Sequence, residues 1–528
     1  MTTHFGKQFI NGQRVAAQAA TLESINANDY QPTGYVYSQA TLEEVDAAAQ
    51  AAELAFIGYS QTSQTKRAAF LDEIATQIEA LGANLHHVAS LETGLPLARL
   101  QGETGRVTGQ LRLFAELLRR GDFYAARIDA ALPERKPMPR VDIRQYKVAL
   151  GPVAVFGASN FPLAFSTAGG DTVAALAAGC PVVFKAHSGH MATAELVGEA
   201  IEKAIVQCEM PSGTFNMIFG ARVGADLVAH PAIQAVGFTG SLEGGMALYQ
   251  IAQKRPQPIP VFAEMSSVNP VVVMPEALKT RGTQIAQDTV ASFNMGCGQF
   301  CTKPGLIVGI KSPEFDHFVD TLIVTTQKAN PQVMLNQGTL KSYQQGIAAL
   351  TAEAGVHLIA QGIDATSISQ ASAKLFQADQ SLLLSGNSKL QHEVFGPMSI
   401  VVAVDDEATL LQGLDRLAGQ LTATIIGEDA ELATAQALLN LFTRKAGRVL
   451  FNGFPTGVEV CDAMVHGGPF PATTDARGTS VGTGAIERFM RPVCYQNTPQ
   501  VLLPDALKDE NPLQIHRLID GKLSKAPM

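Results

Sequence analysis

A cysteine follows a glycine-rich turn in residues 296–301, which read GCGQFC. The glycines allow a tight backbone turn, which would leave the Cys301 thiol accessible beside it. A nucleophilic cysteine also needs a lowered pKa, which a helix N-terminus, a cation or local dipoles can supply. The segment therefore indicates a candidate nucleophile, and a buried, unreactive cysteine is the alternative.

A metal site is a second interpretation of the same segment, because Cys297 and Cys301 would supply two thiolate ligands. No further pair of Cys or His residues stands at the spacing that zinc sites use. The sequence therefore predicts no metal, and Cys297 is interpreted as a bystander.

Polar residues follow two apolar, strand-like stretches, in residues 262–267 and 157–162. Ligand sites of α/β proteins form where parallel strands end. Glu264 stands at such an end and is therefore a candidate general base. A helix-cap or surface glutamate is the alternative. Asn160 offers an amide donor to a developing oxyanion, and a turn asparagine is its alternative. Each signal is weak without the other.

Residues 237–244 read GFTGSLEG and join a predicted strand to a predicted helix. The segment is not a GxGxxG fingerprint. A strand, a glycine turn and a helix start can still present backbone N–H groups to a phosphate. An ordinary turn between a strand and a helix is the alternative.

The elements that must position these residues follow an alternating pattern. Short apolar runs alternate with helical stretches from residue 150 onward, which is typical of a parallel, doubly wound sheet, and a second series spans 284–450. The predicted helices include 41–55, opened by a capping box, and 66–81, 98–119, 163–178, 192–206 and 225–228. The predicted strands are 36–38, 141–148, 153–156, 182–184, 215–218, 236–238, 261–262, 271–273, 305–309, 382–384, 400–404, 422–426 and 497–503.

Composition narrows the function class. The 528 residues are 46% hydrophobic and 16% charged, which excludes a disordered scaffold. The net charge of −9 and the absence of a polybasic run argue against nucleic-acid binding. No apolar leader or 18-residue apolar stretch is present, and six scattered cysteines do not form a disulfide framework. We therefore expect a cytoplasmic enzyme that is neither secreted nor in a membrane.

The chain resembles the aldehyde dehydrogenase superfamily over nearly its whole length. The resemblance implies two doubly wound α/β domains and a small β oligomerisation element. It places a dinucleotide-binding domain at 1–131 and 150–263, a catalytic domain at 264–482, and the oligomerisation element with the C-terminal tail at 132–149 and 483–528. The matching motifs, in chain order, are 158–162 (ASNFP), 184–185 (FK), 238–241 (FTGS), Glu264, 298–301 (GQFC) and 393–397 (EVFGP).

The resemblance also implies the catalytic roles. Cys301 resembles the thiolate that attacks the aldehyde carbon, and Asn160 with the Cys301 backbone N–H resembles the oxyanion hole. Glu264 resembles the base that activates water to hydrolyse the thioester. A non-catalytic protein on an inherited scaffold is disfavoured because all these residues are present. Transfer of the acyl group to coenzyme A is disfavoured because Glu264 is present.

The cofactor assignment rests on the same resemblance. Members that prefer NAD carry a glutamate three residues after the motif lysine, and Ser188 stands there instead. Ser188 beside Lys185 tolerates a 2′-phosphate, and Arg222 is a candidate to reach it, with a surface arginine as the alternative. We therefore expect NADP to be preferred and NAD to be accepted. The other implied cofactor-binding residues are Gly240, Ser241, Glu393 and Phe395.

Two branches of the superfamily remain open as the substrate class. Residues 159–171 resemble both the α-ketoglutaric semialdehyde (2,5-dioxopentanoate) branch and the branch that oxidises medium or long aliphatic aldehydes with NADP. The C-terminal runs 452–461, 464–469 and 486–496 favour the semialdehyde branch. An acidic substrate needs a cation in its tunnel. The predicted substrate-binding residues are Arg106 and Gln110 on one helix face, with Phe161 and Phe165 as an apolar wall.

Two strand pieces point to oligomerisation. The resemblance implies that the strand pieces 141–148 and 497–503 bridge subunits, and exposed edge strands pair across a two-fold axis. We expect a homodimer or homotetramer, with a small-molecule aldehyde as the other partner.

Overall fold

Two seven-stranded sheets form the frame of the computed structural model, which describes residues 4–17 and 20–528. The strands, in chain order, are β1 (His4–Gly6), β2 (Gln8–Ile10), β3 (Gln13–Val15), β4 (Thr21–Ile25), β5 (Pro32–Ser38), β6 (Arg127–Asp129), β7 (Ile143–Ala149), β8 (Val153–Phe156), β9 (Val182–Lys185), β10 (Phe215–Ile218), β11 (Ala235–Thr239), β12 (Val261–Glu264), β13 (Pro270–Val273), β14 (Leu306–Ile310), β15 (Gln332–Val333), β16 (Val356–Gln361), β17 (Gln370–Ala371), β18 (Lys374–Ala378), β19 (Met398–Val404), β20 (Gln420–Ile426), β21 (Ala446–Phe451), β22 (Met490–Gln496), β23 (Arg517–Ile519) and β24 (Lys522–Ser524).

Helices cover both large sheets. The predicted capping box is present at the first of them, where Thr41 and Glu44 bond each other's backbone N–H groups. The α-helices are α1 (Leu42–Tyr59), α2 (Gln64–Thr93), α3 (Leu97–Arg120), α4 (Gly170–Ala178), α5 (Met191–Gln207), α6 (Val223–Ala229), α7 (Leu242–Gln253), α8 (Pro275–Asn294), α9 (Pro313–Gln327), α10 (Gln337–Thr351), α11 (Gln380–Leu384), α12 (Ser388–Gln391), α13 (Glu407–Asp415) and α14 (Leu432–Lys445).

The first large sheet has the order β12-β11-β8-β9-β10-β2-β3, and its first five strands run parallel. Helices on both faces bury these strands, which explains why they read as continuous apolar runs. Because the strands are parallel, their carboxyl ends meet at one edge. Lys185 and Glu264 are the last residues of β9 and β12, and Asn160, Arg222 and Gly240 lie in the turns after β8, β10 and β11.

The second large sheet has the order β16-β18-β19-β14-β13-β20-β21 and is parallel from β18 onward. Strands β14 and β19 are neighbours in register, with Leu306 opposite Ile400. Cys301 and Glu393 lie just before these two strands, so they reach the same amino edge of this sheet. Both sheets are α/β, as the sequence predicts.

A five-stranded sheet with the order β22-β7-β6-β23-β24 forms the third unit. Predicted strand 141–148 is present as β7. Predicted strand 497–503 is wrong, because the partner of β7 is β22 (Met490–Gln496) and residues 500–502 form a 3-10 turn. Asn497 has a φ of 51°, which ends the extended backbone there.

Two further element predictions are wrong. Residues 382–384 lie in helix α11, because a run of three apolar residues suits either kind of element. The predicted helix 163–178 begins only at Gly170. The N–H groups of Leu163 and Ala164 bond the Glu103 carboxylate, which holds this segment in a non-helical turn.

None of the helices in the described part of the chain combines the length and the apolar character that crossing a membrane requires.

Candidate active site

Cys301, His466 and Glu264 form a cluster where the two large sheets face each other, with Glu264 and His466 buried and Cys301 partly buried. The Cys301 Sγ lies 3.3 Å from His466 Nε2, and that nitrogen lies 3.1 Å from Glu264 Oε1. Ser480 Oγ donates a hydrogen bond of 2.6 Å to the other carboxylate oxygen, Oε2. A thiol, an imidazole and a carboxylate are therefore in direct contact.

Backbone bonds attach the segment carrying His466 to strand β12. Glu264 pairs with Thr473 in a single antiparallel bridge, and Met265 N donates to Ala472 O at 2.8 Å. The His466 backbone N–H donates to Thr479 Oγ1, and Ser480 N donates to His466 O, both at 2.8 Å. These bonds bring residues from the C-terminal part of the chain to the end of β12.

The turn before Cys301 is as tight as its glycines predict. Residues 295–298 form a 3-10 turn in which Gly296, Cys297 and Gly298 have φ values of 55°, 58° and 63°. A Cβ on Gly298 would lie 2.2 Å from Gly396 O, so only glycine fits beside that backbone. The Cys297 sulfur lies 3.3 Å from Met334 Sδ, and burial raises the pKa of the Cys297 thiol.

Asn160 lies next to the Cys301 segment. Its side-chain Nδ2 donates to Gln299 O at 3.0 Å, and its backbone carbonyl accepts from Arg99 Nη2 at 3.0 Å. The buried His190 fixes the same turn through a bond of 2.8 Å between its Nε2 and Ala158 O. The amide nitrogen carries two hydrogens, so one can serve Gln299 while the other points to a ligand.

Helix α3 supports this wall of the site. The Arg99 guanidinium lies over the rings of Phe161 and Phe300, at 4.7 and 4.6 Å from their centroids. One turn later, Glu103 is buried and accepts two backbone N–H bonds of 2.9 Å from the segment after Asn160. The helix thereby holds the turn that carries Asn160.

The predicted substrate residues occupy the next turns of the same helix face. The Arg106 guanidinium lies 5.8 Å from the Phe165 ring centroid and donates to Val458 O. Gln110 is buried, and its Nε2 has no hydrogen-bond partner among the described residues. The ring of Phe161 packs 5.2 Å from that of Phe165.

A second guanidinium, that of Arg448, accompanies Arg106. It donates to Gly457 O and Pro455 O, both at 2.6 Å, so it bonds the same loop as Arg106. Burial lowers the pKa of both arginines. The charges of Glu103 and then Cys301 oppose that shift at Arg106, and the charge of Cys301 opposes it at Arg448. Neither guanidinium has a carboxylate within 4 Å in the described part of the chain.

The site's electrostatics depend on burial and on close charges. Burial alone would raise the pKa of Glu264, but the charge of a protonated His466 and the hydrogen bonds from His466, Ser480 and Cys301 outweigh burial and hold the pKa below its usual range. Burial raises the pKa of the Cys301 thiol well above its ordinary value, and the carboxylates of Glu264 and Glu393 add to that rise. Burial also raises the pKa of Glu393 and lowers that of its neighbour Lys303.

The predicted cofactor residues lie along the carboxyl edge of the first sheet. Lys185 is the last residue of β9, and burial lowers its pKa to about 8. Gly240 N donates to Glu264 O at 3.1 Å, and Ser241 caps helix α7 by accepting from Gly244 N. Ser188 and Arg222 are exposed, each in the turn after its strand.

Two more predicted cofactor residues come from the second sheet. The Glu393 carboxylate lies close to Ser266 and the Ser267 backbone, directly after β12, and both oppose the rise that burial causes in its pKa. Phe395 packs against a small apolar cluster that includes Leu95 and Leu335. Glu393, from the second sheet, therefore reaches the carboxyl end of β12 in the first sheet.

Sequence reasoning missed His466 and Arg448. His466 stands in the run 464–469, which indicates only the resemblance to the semialdehyde branch. It lies 165 residues after Cys301, and no local pattern links the two. For Arg448, which is partly buried in β21, the sequence signal is a charged residue within the otherwise apolar run 446–451.

Comparisons with known proteins agree on one family. Residues 15–469 match the aldehyde dehydrogenase family. The chain is 78% identical to an alpha-ketoglutaric semialdehyde dehydrogenase of Acinetobacter baylyi, over 99% of this chain and all of that one. It is 51% identical to alpha-ketoglutaric semialdehyde dehydrogenase 2 of Azospirillum brasilense, over 98% and 99% of the two chains.

A solved structure extends the agreement to the fold. Betaine aldehyde dehydrogenase from Staphylococcus aureus, in complex with NAD+, has a TM-score of 0.80 and 22% identity to this chain. The alignment covers 94% of this chain and 96% of that one.

Proposed function

Since this chain belongs to the aldehyde dehydrogenase family of NAD(P)-dependent enzymes, we propose that it oxidises α-ketoglutaric semialdehyde (2,5-dioxopentanoate) to 2-oxoglutarate. The names of its two relatives at 78% and 51% identity support this substrate. The observation that carries the proposal is the pair of guanidiniums, Arg106 and Arg448, beside the Cys301 cluster without carboxylate partners within 4 Å among the described residues.

Cys301 is the nucleophile of the proposed reaction. Its thiolate attacks the aldehyde carbon, and the carbonyl oxygen becomes an oxyanion that Asn160 Nδ2 and the Cys301 backbone N–H stabilise. The distance of 3.0 Å between Asn160 Nδ2 and Gln299 O supports this role, because Gln299 lies two residues before the nucleophile. Oxidation of this adduct leaves a thioester on Cys301.

Glu264 is the base of the second half-reaction. Its lowered pKa keeps the carboxylate ionised at neutral pH, so it can take a proton from the water that hydrolyses the thioester. The Ser480 hydroxyl orients this carboxylate through Oε2. Hydrolysis releases the carboxylate product and regenerates Cys301.

The cofactor supplies the oxidising equivalent when bound, by accepting a hydride from the carbon attached to Cys301. Lys185 is suited to bind a ribose because it is partly buried and its Nζ has no hydrogen-bond partner among the described residues. The exposed turn at Gly240 and Ser241 opens helix α7 and can receive the pyrophosphate. Glu393 and Phe395 would hold the second ribose from the opposite side.

We propose that NADP is preferred over NAD. Ser188 and Arg222 are both exposed beside the edge that carries Lys185, so neither presents a negative charge to a 2′-phosphate. Ser188→Glu is expected to lower kcat/KM for NADP at least about tenfold relative to NAD, because a carboxylate repels the phosphate. Initial rates with each cofactor give the ratio of kcat/KM for NADP to kcat/KM for NAD. Arg222→Ala should also lower this ratio. An unchanged ratio in both variants would show that these positions do not read the phosphate.

The substrate's acid group is proposed to bind Arg106 and Arg448, with Gln110 beside them and Phe161 and Phe165 as the apolar wall. A carboxylate at this place would gain charge-assisted hydrogen bonds from two desolvated donors. The aromatic wall suits the carbon chain of either candidate substrate. Aliphatic aldehydes are therefore the second candidate class, favoured by the ring packing of Phe161, Phe165 and Phe300.

Arg106→Leu tests this assignment. Without the guanidinium, kcat/KM for 2,5-dioxopentanoate is expected to fall about 10- to 100-fold, the usual range for a lost hydrogen bond to a charged group. The value for hexanal is expected to change less than about threefold, because an alkyl chain does not use the charge. NADPH formation measures both rates.

Arg112→Leu is the matched control, since Arg112 lies on the same helix but is exposed and paired with Glu79. A preference of the wild type for hexanal would contradict the proposal. So would an equal loss of kcat/KM on both substrates in Arg106→Leu. Either result would indicate an enzyme of the aliphatic class.

A homodimer or homotetramer in the cytoplasm completes the proposal. Strand β22 is an outer strand of its sheet with alternate side chains exposed, and Val501 and Leu502 are exposed close behind it. An uncovered edge beside apolar residues favours pairing with a second copy.

The six cysteines are free thiols, which supports a reducing compartment. We propose domain boundaries at 131/132, 149/150, 263/264 and 482/483.

A further inference from the structure

The imidazole of His466 has no role in the reaction described above, although it touches the nucleophile. It is buried and contacts Cys301 Sγ and Glu264 Oε1 through the same nitrogen, Nε2, at 3.3 and 3.1 Å. Its second nitrogen, Nδ1, is buried and has no hydrogen-bond partner among the described residues. The Phe165 ring, with its centroid 6.1 Å from that of the imidazole, packs nearby.

The surroundings of Cys301 make the loss of its proton difficult. Burial raises the pKa of the Cys301 thiol, and the nearby carboxylates of Glu264 and Glu393 raise it further, Glu264 also through a hydrogen bond with the thiol. The guanidiniums of Arg106 and Arg448 act in the opposite direction from the substrate side. Without a proton acceptor in contact with Sγ, the resting enzyme would hold a neutral thiol, which is a poor nucleophile.

We propose that His466 Nε2 accepts the proton of Cys301 and thereby forms the attacking thiolate. The Sγ–H bond breaks, its electron pair stays on sulfur, and a new N–H bond forms on Nε2. The imidazolium then lies between two anions, the thiolate and the Glu264 carboxylate, and both stabilise it. The step creates a thiolate–imidazolium pair with no change in net charge.

The geometry assigns Glu264 and His466 to different steps of the reaction. Glu264 Oε2 accepts the Ser480 hydroxyl and Oε1 faces the imidazole, so one carboxylate oxygen supports the imidazolium during attack. The acceptor state of Nε2 requires the tautomer with hydrogen on Nδ1, which leaves the Nε2 lone pair directed at Sγ. His466 therefore serves formation of the thioester, and Glu264 serves its hydrolysis. This division rests on the proposal that Cys301 is the nucleophile.

Alkylation of Cys301 by iodoacetamide tests the proposal without any substrate or cofactor. Only the thiolate reacts, so the rate against pH reports the thiolate fraction. His466→Gln is expected to slow alkylation of Cys301 at least about tenfold at neutral pH and to move its pH profile upward. Mass spectrometry of the peptide carrying Cys301 identifies the modified thiol. His230→Gln is the matched control, because His230 pairs with Asp46 away from the site.

A second measurement separates this role from a structural one. The first-turnover burst of NADPH with 2,5-dioxopentanoate or hexanal should slow in His466→Gln and in His466→Gly, and added imidazole should restore part of the rate only in His466→Gly. Glu264→Gln should instead keep the burst and lose the later turnovers. Melting temperatures of the variants show whether each one folds.

Three results would overturn the proposal. One is an unchanged alkylation profile in a folded His466→Gln. Another is a loss in His466→Gly that imidazole does not reverse while the melting temperature falls. The third is a metal ion found by elemental analysis of the purified enzyme and lost in His466→Gln, because the three donor atoms lie within 4.8 Å of one another and would then be ligands. Since alkylation needs no aldehyde, a wrong substrate assignment leaves this test intact.

Discussion

Cys301→Ala is expected to lower kcat/KM for every aldehyde at least about 10⁴-fold, because covalent catalysis has no substitute for the missing sulfur. Binding of NADP should remain within about threefold, since the residues proposed to hold the cofactor lie on other strand ends. Steady-state NADPH formation measures the first effect. Isothermal titration calorimetry measures the second, because the chain has no tryptophan to report binding by fluorescence.

Cys297→Ala is the control for this experiment. Its sulfur contacts Met334 and the Gln332 backbone, and burial keeps the thiol protonated. The variant should lose some stability through a small cavity but keep its activity within a few-fold. A comparable loss of activity in both variants would show that the glycine turn, and not the Cys301 thiol, is the sensitive feature.

Glu264→Gln is expected to lower the steady-state kcat about 10²- to 10⁴-fold, the range that a positioned general base contributes. The first turnover should persist, so that one equivalent of NADPH forms per subunit and the acyl group stays on Cys301. Rapid mixing followed by acid quenching and mass spectrometry detects this acyl-enzyme. Absence of both the burst and the acyl-enzyme would place Glu264 in the first half-reaction.

The pH dependence of hydrolysis follows from the lowered pKa of Glu264. A base with a depressed pKa is ionised throughout the neutral range and is lost only as the pH falls through its shifted value. Deacylation by the wild type should therefore decline only below the ordinary glutamate range, which is centred near about 4.3. Ser480→Ala removes one bond that supports the carboxylate and should raise the pH at which the decline begins.

Several parts of this site could be predicted because each one is local. Cys301 follows glycines that make a turn with positive φ values, and Glu264 directly follows an apolar strand. Such patterns indicate the turn or strand itself and also the place where a parallel strand ends. The same reasoning failed at 382–384 and 163–169, where a short apolar run or a distant carboxylate decided the conformation.

Other parts depend on segments that meet only after folding. His466 reaches Cys301 because the C-terminal segment pairs with Glu264 and Met265 at the end of β12. Arg448 meets Arg106 because strand β21 and helix α3 bond the same loop, 455–458. No periodicity or motif encodes these contacts, since each involves single residues far apart along the chain.

The sequence by itself determined the α/β class, most of its elements and the types of group available for chemistry, because strand periodicity, turn glycines and caps act over a few residues. Only the tertiary structure decided which groups touch: the imidazole between thiol and carboxylate, the paired guanidiniums, and the carboxylate that holds the turn after Asn160. The pKa directions at Cys301 and Glu264 belong to this second class as well. They arise from burial and from charges that other segments bring within a few ångströms, and these are properties of packing in three dimensions.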